Sequence, residues 1–298
     1  MEKKYISQKN PTAVIDLGSN SVRLMLTGQE YSKQSIIIRL GEGLSYTGVL
    51  SIDAMRRAVD AVSYFAGLAK DAGAKDIRIF ATQAVRAAKN AGELKKMIFE
   101  ACGLEVEVLD GKTEALCGFL GAAFNIPQNL TAAVIDIGGA STEITIGKPP
   151  KEISCSKSVP IGAVVLRDLY LQDQGRFEAL IKESLDAFKE VKAQSFIGIG
   201  GTFCSLSAMI MNLKEYDSKK VDNSVISLNA LEDLHKNIWE KDEQEILEKY
   251  SFLGQRARVI KFGAFWALSL MRRFDMPKIY VSEKDNLEGY CVLKNIKL

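Results

Sequence analysis

The feature that most constrains the fold is a short sequence that occurs twice, 120 residues apart. AVIDLGSNSVRL at residues 13–24 returns as AVIDIGGASTEI at residues 133–144, with Asp, Gly and Ser at equivalent places. Each copy reads as a hydrophobic strand, a tight turn and a second strand of alternating polarity. A repeat at this spacing predicts two homologous domains rather than a solenoid of short units.

Helical and strand patterns alternate around each copy and predict an α/β fold. Ser51 is a candidate N-cap for a helix from 52 to about 72. Further helices are predicted at 84–101, 112–124, 163–171, 177–192 and 257–274, and strands at 77–81, 105–109, 153–158, 195–199 and 278–281. Residues 214–223 are polar and predict a loop. We expect one domain over 1–116 and a second over 117–298, with a last helix at about 285–298 able to pack back on the first.

Composition excludes several classes of function. The net charge of +2 gives no reason to expect a nucleic acid or an anionic membrane as partner. The longest apolar run, 262–271, is shorter than the ~18 residues that a membrane span needs. The five cysteines form no CxxC pair, which argues against a zinc site or a disulfide framework. The polar first eleven residues show no signal peptide, so a cytoplasmic protein is expected.

The two Asp-x-Gly turns are suited to binding phosphate. A glycine directly after a buried strand lets backbone N–H groups approach an anion, which applies to Gly18 and Gly138. Asp16 and Asp136, at the strand ends, could hold a divalent cation beside that anion. A hairpin uses the same residue types, but two copies at domain spacing favour a site. A third glycine-rich turn at 198–202 joins a strand to a helix, and we expect all three turns to line a cleft between the domains.

These segments resemble the exopolyphosphatase/guanosine pentaphosphate phosphohydrolase family. The matches run in order along nearly the whole chain: Ala13–Leu24, Thr82–Arg86, Gly111–Ala115, Asp136–Glu143, Gly198–Thr202 and Val281–Gly289. The resemblance implies an α/β fold of two duplicated actin-like (ribonuclease H-like) domains with an interdomain cleft. The chain departs from the family pattern at Thr113, at Ala140 and in a closing motif that lacks the usual Arg.

The resemblance also assigns roles to residues. Glu114 stands at the family's catalytic glutamate and would orient or deprotonate water, although the helix dipole alone also favours a first-turn Glu. Glu143 would be the second carboxylate, or else a solvated strand residue. Arg23 and Arg86 would clamp phosphate oxygens, or else be solvated surface residues. Mg²⁺, or Mn²⁺, would be held by Asp16, Asp136 and Glu143. The remaining phosphate-binding residues would be Gly18, Ser19, Asn20, Ser21, Gly138, Gly139, Ala140, Ser141, Gly200, Gly201 and Thr202.

Other charged residues give weaker indications of function. Arg258 and Lys261, at the start of a predicted helix, could extend a basic track or be ordinary surface residues. His235 is the only histidine and lies in a polar helical pattern, so we expect it at the surface. A mechanism based on histidine is therefore not expected.

Three functions remain open. The first is a hydrolase that releases the terminal phosphate of inorganic polyphosphate or the 5′-phosphate of guanosine pentaphosphate. The second is an ATP-dependent kinase of a small molecule with the same fold. The third is a non-catalytic sensor that binds polyphosphate or a guanosine penta- or tetraphosphate. The sequence does not rank the first two substrates, and the resemblance implies a homodimer.

Overall fold

The chain folds into two compact units. The structure, a computed structural model, describes residues 11–28, 33–123, 126, 129–149, 152–188 and 191–298. Unit 1 comprises the described residues up to Cys117 together with Asn286–Leu298, and unit 2 comprises those of Gly118–Asp285. Phe124, where one predicted helix ends, lies outside the described residues.

Unit 1 is built on a five-stranded sheet. Its strands are β1 (Thr12–Leu17), β2 (Ser21–Leu26), β3 (Lys33–Ile37), β4 (Asp76–Ala81) and β5 (Val106–Val108), in the order β3-β2-β1-β4-β5. Its helices up to the start of unit 2 are α1 (Leu44–Thr47), α2 (Ile52–Asp71), α3 (Gln83–Ala87), α4 (Ala91–Cys102) and the first part of α5 (Gly111–Ala122). Ser51 caps α2 as predicted, since its side chain accepts a hydrogen bond from the N–H of Ala54.

Unit 2 is built on a six-stranded sheet. Its strands are β6 (Ala132–Ile137), β7 (Thr142–Lys148), β8 (Glu152–Val159), β9 (Ser195–Ile199), β10 (Val225–Ser227) and β11 (Lys278–Ser282), in the order β10-β11-β9-β6-β7-β8. Its helices are α6 (Ala163–Gln172), α7 (Gln174–Ala187), α8 (Gly200–Ile210), α9 (Ser218–Val221), α10 (Leu228–Ile238), α11 (Glu243–Lys249), a 3-10 helix (Ser251–Arg256) and α12 (Ala257–Arg273). No helix among the described residues of either unit combines the length and the apolar character that crossing a membrane requires.

The sequence repeat is a structural repeat. The strand order β8-β7-β6-β9-β11 of unit 2 matches β3-β2-β1-β4-β5 of unit 1, with the first hairpin antiparallel and the central pair parallel in both. The turns close in the same way: the N–H of Gly18 donates to Ser21 O and that of Gly138 to Ser141 O, each at 3.0 Å. The predicted duplication is therefore confirmed.

The last helix, α13 (Asn286–Leu293), packs on unit 1. Lys33 on β3 forms an ion pair with Glu288 at 2.6 Å, and Tyr290 donates its hydroxyl to Glu107 on β5 at 2.7 Å. Tyr290 also stacks on the buried ring of Phe80, with ring centroids 4.6 Å apart. These contacts reach β3 and β5, the two edge strands, so the helix lies across the sheet.

A glycine in α13 permits a close approach to α5. A Cβ on Gly289 would lie 1.6 Å from the carbonyl oxygen of Cys117, a distance that no side chain tolerates. The two helices therefore touch backbone to backbone. This contact gives a physical reason for glycine at the end of the closing motif.

One predicted loop contains a helix. Within 214–223, residues Ser218–Val221 form α9, because Asp217 accepts hydrogen bonds from the N–H groups of Lys219 and Lys220 at 3.1 and 3.3 Å. The aspartate N-cap stabilises this short helix despite the polar composition of the segment. The sequence pattern did not show this because a single turn has no periodicity to detect.

His235 is not the surface residue that the sequence predicted. Its ring packs on Trp239 and Phe265, with centroids 5.1 and 6.0 Å away. Within the described part of the chain, its buried Nε2 has no hydrogen-bond partner. Burial and the nearby Arg272 lower the pKa of this imidazole. The polar sequence pattern around His235 led to the wrong prediction, because one side of this charged helix is covered by a half-buried aromatic cluster.

Unit 2 is expected to lose stability as the pH falls through the range where His235 ionises. An unfolded histidine has a pKa of about 6.5, and the folded value is lower, so the unfolded state binds more protons below that pH. Thermal unfolding at pH 7.5 and 5.5 measures the loss. In His235→Phe the difference should shrink, because the chain has no other histidine. An equal loss in both proteins would contradict this account.

Candidate functional site

The phosphate-type turn of unit 1 begins with a buried ion pair. Asp16 on β1 and Arg23 on β2 are direct partners across the hairpin. Asp16 is 3% exposed, and Arg23 donates to its Oδ2 from Nε at 3.1 Å and from a terminal nitrogen. The predicted metal ligand and the predicted phosphate clamp are thus bound to each other. Arg23 neutralises a carboxylate that burial would otherwise make costly.

Backbone hydrogen bonds fix the rest of that turn. The carbonyl of Asn20 accepts from the N–H groups of Ile38 and Arg39 at 2.8 and 2.9 Å, and the carbonyl of Ser19 accepts from Gly41 at 2.8 Å. The carbonyls of the turn are therefore engaged with the segment after β3. These hydrogen bonds hold the turn in one conformation.

Glu114 lies at the start of α5, as the sequence predicted. Asp110 caps this helix by accepting from the N–H of Thr113 at 2.7 Å, which lowers the pKa of Asp110. In the first turn, Glu114 Oε2 accepts from an Arg86 terminal nitrogen at 2.8 Å, and the same nitrogen donates to the carbonyl of Leu109 at 2.7 Å. Arg86 therefore orients the Glu114 carboxylate. The two residues that the sequence assigned to base and clamp meet within unit 1.

The matching turn of unit 2 brings two carboxylates together. Asp136 on β6 and Glu143 on β7 are direct partners, the same positions that Asp16 and Arg23 occupy in unit 1. Direct partners in an antiparallel pair have their Cβ atoms about 4.5–5.5 Å apart on one face of the sheet. Burial raises the pKa of Glu143, while hydrogen bonds from Ser158 and Ser141 act in the opposite direction. The Ser158 bond to Oε1 is 2.6 Å long.

The backbone of this turn is also held from one side. The carbonyl of Gly138 accepts from the N–H of Ala163 at 3.0 Å, and that of Gly139 from Val164 at 2.9 Å, both in the first turn of α6. Gly139 and Ala140 are exposed, as residues that contact a ligand must be. Ala140 does not have a positive φ, so its methyl group causes no backbone strain.

The third glycine-rich turn, at Gly200, packs against the strand end that precedes the second turn, at Gly138. Gly200 has a φ of +78°, and a Cβ there would lie 2.6 Å from Asp136 Oδ1. Any other residue would therefore strain the backbone and displace the carboxylate. Thr202 donates its hydroxyl to the carbonyl of Ile137 at 2.7 Å. Asp136, Glu143 and the Gly200 turn thus form one site in unit 2.

Arg256 belongs to this site, and the sequence analysis missed it. A Cβ on Gly201 would lie 2.7 Å from both Nε and a terminal nitrogen of Arg256, which places the guanidinium at the N-terminus of α8. A helix N-terminus and an arginine both favour an anion. No local signal could reveal this contact, because it depends on how the 3-10 helix packs.

The basic track suggested by Arg258 and Lys261 is not supported at Lys261. Its ammonium donates to the carbonyls of Trp239 and Lys241 at 3.0 and 2.8 Å, just after α10. Lys261 therefore serves the fold by satisfying carbonyls after that helix.

The described residues contain no group of three or more His, Cys, Asp or Glu side chains placed to hold a metal. A pair of carboxylates is still sufficient for Mg²⁺, which keeps several waters and also binds substrate phosphates. The Asp136–Glu143 pair fits that requirement. Asp16 fits it less well, because Arg23 already binds its carboxylate.

Comparisons with known proteins find relatives over most of the chain. The sequence model of the Ppx/GppA phosphatase family matches residues 28–294. The chain is 29% identical to exopolyphosphatase 2 of Mycobacterium tuberculosis, covering 94% of this chain and 97% of that protein. It is 28% identical to the guanosine-5′-triphosphate,3′-diphosphate pyrophosphatase of Aliivibrio fischeri, covering 94% of this chain. The chain spans 58% of the length of that relative.

Solved structures show the same fold. A Ppx/GppA family member from Aquifex aeolicus superposes with a TM-score of 0.83 at 26% identity, covering 96% of this chain and 98% of that one. The predicted α/β fold of two actin-like domains is therefore confirmed.

Proposed function

Because the chain belongs to the Ppx/GppA phosphatase family, we propose that it hydrolyses a terminal phosphoanhydride bond. The substrates would be inorganic polyphosphate or the 5′-phosphate of guanosine pentaphosphate. The observation that carries the proposal is the Glu114 carboxylate, held by Arg86 at 2.8 Å at the start of α5. A carboxylate fixed in this way can accept a proton from water and direct the oxygen to phosphorus.

The remaining residues would supply binding. The Gly18 and Gly138 turns and the start of α8 offer backbone N–H groups to phosphate oxygens. Arg256 adds a charge-assisted contact at α8. The transition state of phosphoryl transfer spreads negative charge over the equatorial oxygens, so such donors lower its energy.

We assign a divalent cation, Mg²⁺ or Mn²⁺, to Asp136 and Glu143. These carboxylates are register partners beside the Gly200 turn. When bound, the ion would neutralise phosphoryl oxygens. Asp16 would instead fix the guanidinium of Arg23, which leaves that arginine's charge oriented at the first turn.

Glu143→Gln tests the metal assignment. The substitution keeps an acceptor for the Ser158 hydroxyl but removes a negative charge. Activity should fall and should recover partly as Mg²⁺ is raised, because weaker metal binding is overcome by mass action. Titration of phosphate release against Mg²⁺ measures the shift. An unchanged Mg²⁺ requirement would remove Glu143 from the metal site.

Arg86→Ala and Arg23→Ala should both weaken substrate binding, by about tenfold to a hundredfold in KM. Because the two arginines form different ion pairs, the two variants should differ in stability. Arg23→Ala leaves the buried Asp16 carboxylate without its arginine and should also lower the melting temperature, whereas the Glu114 partner of Arg86 is partly exposed. Steady-state kinetics and thermal melts of both variants check this. Wild-type KM values in both variants would place substrate elsewhere.

One assay tests the function as a whole. Polyphosphate, guanosine pentaphosphate and ATP are incubated with the protein, with and without Mg²⁺. Release of inorganic phosphate from either of the first two supports a hydrolase. Transfer from ATP to an acceptor would indicate a kinase instead, and binding without turnover would indicate a sensor.

A further inference from the structure

A buried chain of hydrogen bonds lies on the side of the unit 2 hairpin opposite to Glu143. Thr142 precedes Glu143 on β7, so the two side chains point to opposite faces of the sheet. The Thr142 hydroxyl donates to the carbonyl of Ile161 at 2.6 Å and accepts from the indole N–H of Trp266 on α12 at 2.9 Å. Thr142 and Trp266 are both fully buried. One hydroxyl therefore joins the hairpin to α12 and to the segment before α6.

The segment that follows Ile161 lies directly against the second glycine-rich turn. A Cβ on Gly162 would lie 2.5 Å from the carbonyl oxygen of Gly138 and 2.6 Å from that of Gly139. The two stretches of backbone therefore touch, and the N–H groups of the next two residues donate to those carbonyls at 3.0 and 2.9 Å. A displacement of Ile161 would move these donors and the turn with them. The Thr142 hydroxyl thus fixes the position of the turn through Ile161.

The same face of α12 also reaches the Gly200 turn. Gly263 lies three positions before Trp266, which puts both residues on one face of the helix. A Cβ on Gly263 would lie 2.7 Å from the methyl carbon of Thr202 and 3.7 Å from the Cβ of Ala163. These two residues lie in the first turns of α8 and α6. Glycine therefore lets α12 touch the starts of both helices.

Thr142, Trp266 and Gly263 together form a brace on the buried side of the unit 2 site, the α12 brace. All three residues are buried, so none of them can contact substrate. The groups in front of the brace are backbone N–H groups and two carboxylates on adjacent strands, and their positions follow the backbone. A backbone donor cannot be corrected by a change of rotamer, and a displacement of about 1 Å can cost a hundredfold in rate.

We propose that the α12 brace positions the Gly138 turn and Glu143 for catalysis. Thr142 and Trp266 hold the hairpin, and Gly263 sets its distance from α8. The inference rests on the proposed hydrolase site in unit 2 and adds to it a support that lies outside the site. Hydrogen bonds suit this role because they are directional: apolar packing alone would let the hairpin slide, whereas two hydrogen bonds to one hydroxyl select one position.

Amide hydrogen exchange, followed by mass spectrometry, tests the brace without turnover. Thr142→Val keeps the shape of the side chain but removes the hydroxyl, and exchange in peptides covering 136–143 and 161–168 should become about tenfold faster. Thr142→Ser keeps the hydroxyl and should restore slow exchange. Trp266→Phe removes only the N–H donor and should accelerate exchange in the same two peptides by a smaller factor.

Kinetics tests whether the brace acts on the site. Thr142→Val should lower kcat for phosphate release by about tenfold to a hundredfold, because the turn is displaced from the reacting phosphate. It should also raise the Mg²⁺ concentration that gives half-maximal activity, since Glu143 moves away from the ion. Thr142→Ser should reverse most of both changes. Gly263→Ala should lower kcat with the hydroxyl intact, because its new methyl group pushes α12 away from Thr202.

Ser207→Ala is the matched control. Ser207 is a buried residue in the second half of α8, and its hydroxyl is hydrogen-bonded to that of Ser224 at 2.6 Å. The substitution removes a buried hydroxyl from unit 2 away from both turns. The melting temperature should fall, as in Thr142→Val, while kcat and the Mg²⁺ requirement stay within about twofold of the wild-type values. Exchange in the two peptides should not change.

Several results would overturn the positioning role. Unchanged exchange in Thr142→Val would show that the hydroxyl does not hold the turn. Faster exchange with unchanged kcat would show that the turn does not need this position for catalysis, and the hydrolase function would stand without it. If Thr142→Val does not fold, Trp266→Phe answers both questions. Should the wild-type protein release no phosphate, the hydrolase proposal fails, while hydrogen exchange still decides whether the brace holds the turn.

Discussion

Glu114→Gln is expected to reduce turnover by about 10²–10⁴ while affinity for substrate stays similar or improves. Glutamine keeps the shape and an oxygen that can accept from Arg86, and Arg86 retains its bond to the carbonyl of Leu109. The variant therefore loses basicity and a negative charge without losing local structure. Relief of repulsion against a polyanion accounts for the improved binding. Phosphate release at saturating substrate gives kcat, and its dependence on substrate gives KM.

Glu107→Gln is the matched control for this substitution. Glu107 is also a carboxylate of unit 1 held by hydrogen bonds, from Tyr290 and Lys294, but it lies on β5 among the contacts of α13. We expect lower stability and unchanged turnover. If Glu114→Gln retained wild-type turnover, the assignment of the base would be wrong. If only binding changed, Glu143 would become the candidate.

Gly289→Ala is expected to lower the free energy of unfolding by about 3 kcal/mol, more than a hundredfold in the folding equilibrium. The new Cβ would meet the carbonyl oxygen of Cys117 at 1.6 Å and its carbonyl carbon at 2.4 Å. A rotamer change cannot relieve a clash with backbone, so α13 must move away from α5. Moving it would open the buried cluster of Phe80, Leu287 and Tyr290. Urea denaturation followed by circular dichroism measures the loss.

Gly67→Ala separates this effect from a general intolerance of alanine. Gly67 lies in α2, and a Cβ there would have no atom within 4 Å. Alanine should stabilise that helix by about 0.5–1 kcal/mol, because glycine loses more backbone entropy on folding. Equal stabilities for the two variants would show that the approach of α13 to α5 is not tight.

The parts of the fold that depend on local pattern could be predicted from the sequence. The two hairpins follow from the repeated AVID with a glycine two residues after each Asp. Their register then places Asp136 opposite Glu143 and Asp16 opposite Arg23. The carboxylate pair and the ion pair are consequences of that register, which the sequence motif contains.

Contacts between distant segments could not be predicted. Ser158 reaches Glu143 only because β8 pairs with β7 past a bulge. Arg256 reaches Gly201 across 55 positions of sequence. His235 has a polar neighbourhood in the sequence and an aromatic one in the fold. The homodimer, the cytoplasmic location and the cleft between the domains stay predictions.

The return of α13 to unit 1 has a consequence for how the protein is made. Unit 2 is one continuous stretch, whereas unit 1 combines the residues up to Cys117 with Asn286–Leu298. After Cys117 has been added, about ten to thirty seconds of translation pass before Asn286, at about 5–20 residues per second. During that interval Val14, Met25 and Phe80 lack the side chains of Leu287 and Tyr290 that cover them. The unit whose synthesis begins first therefore completes its core only after the whole sequence of unit 2 has been made.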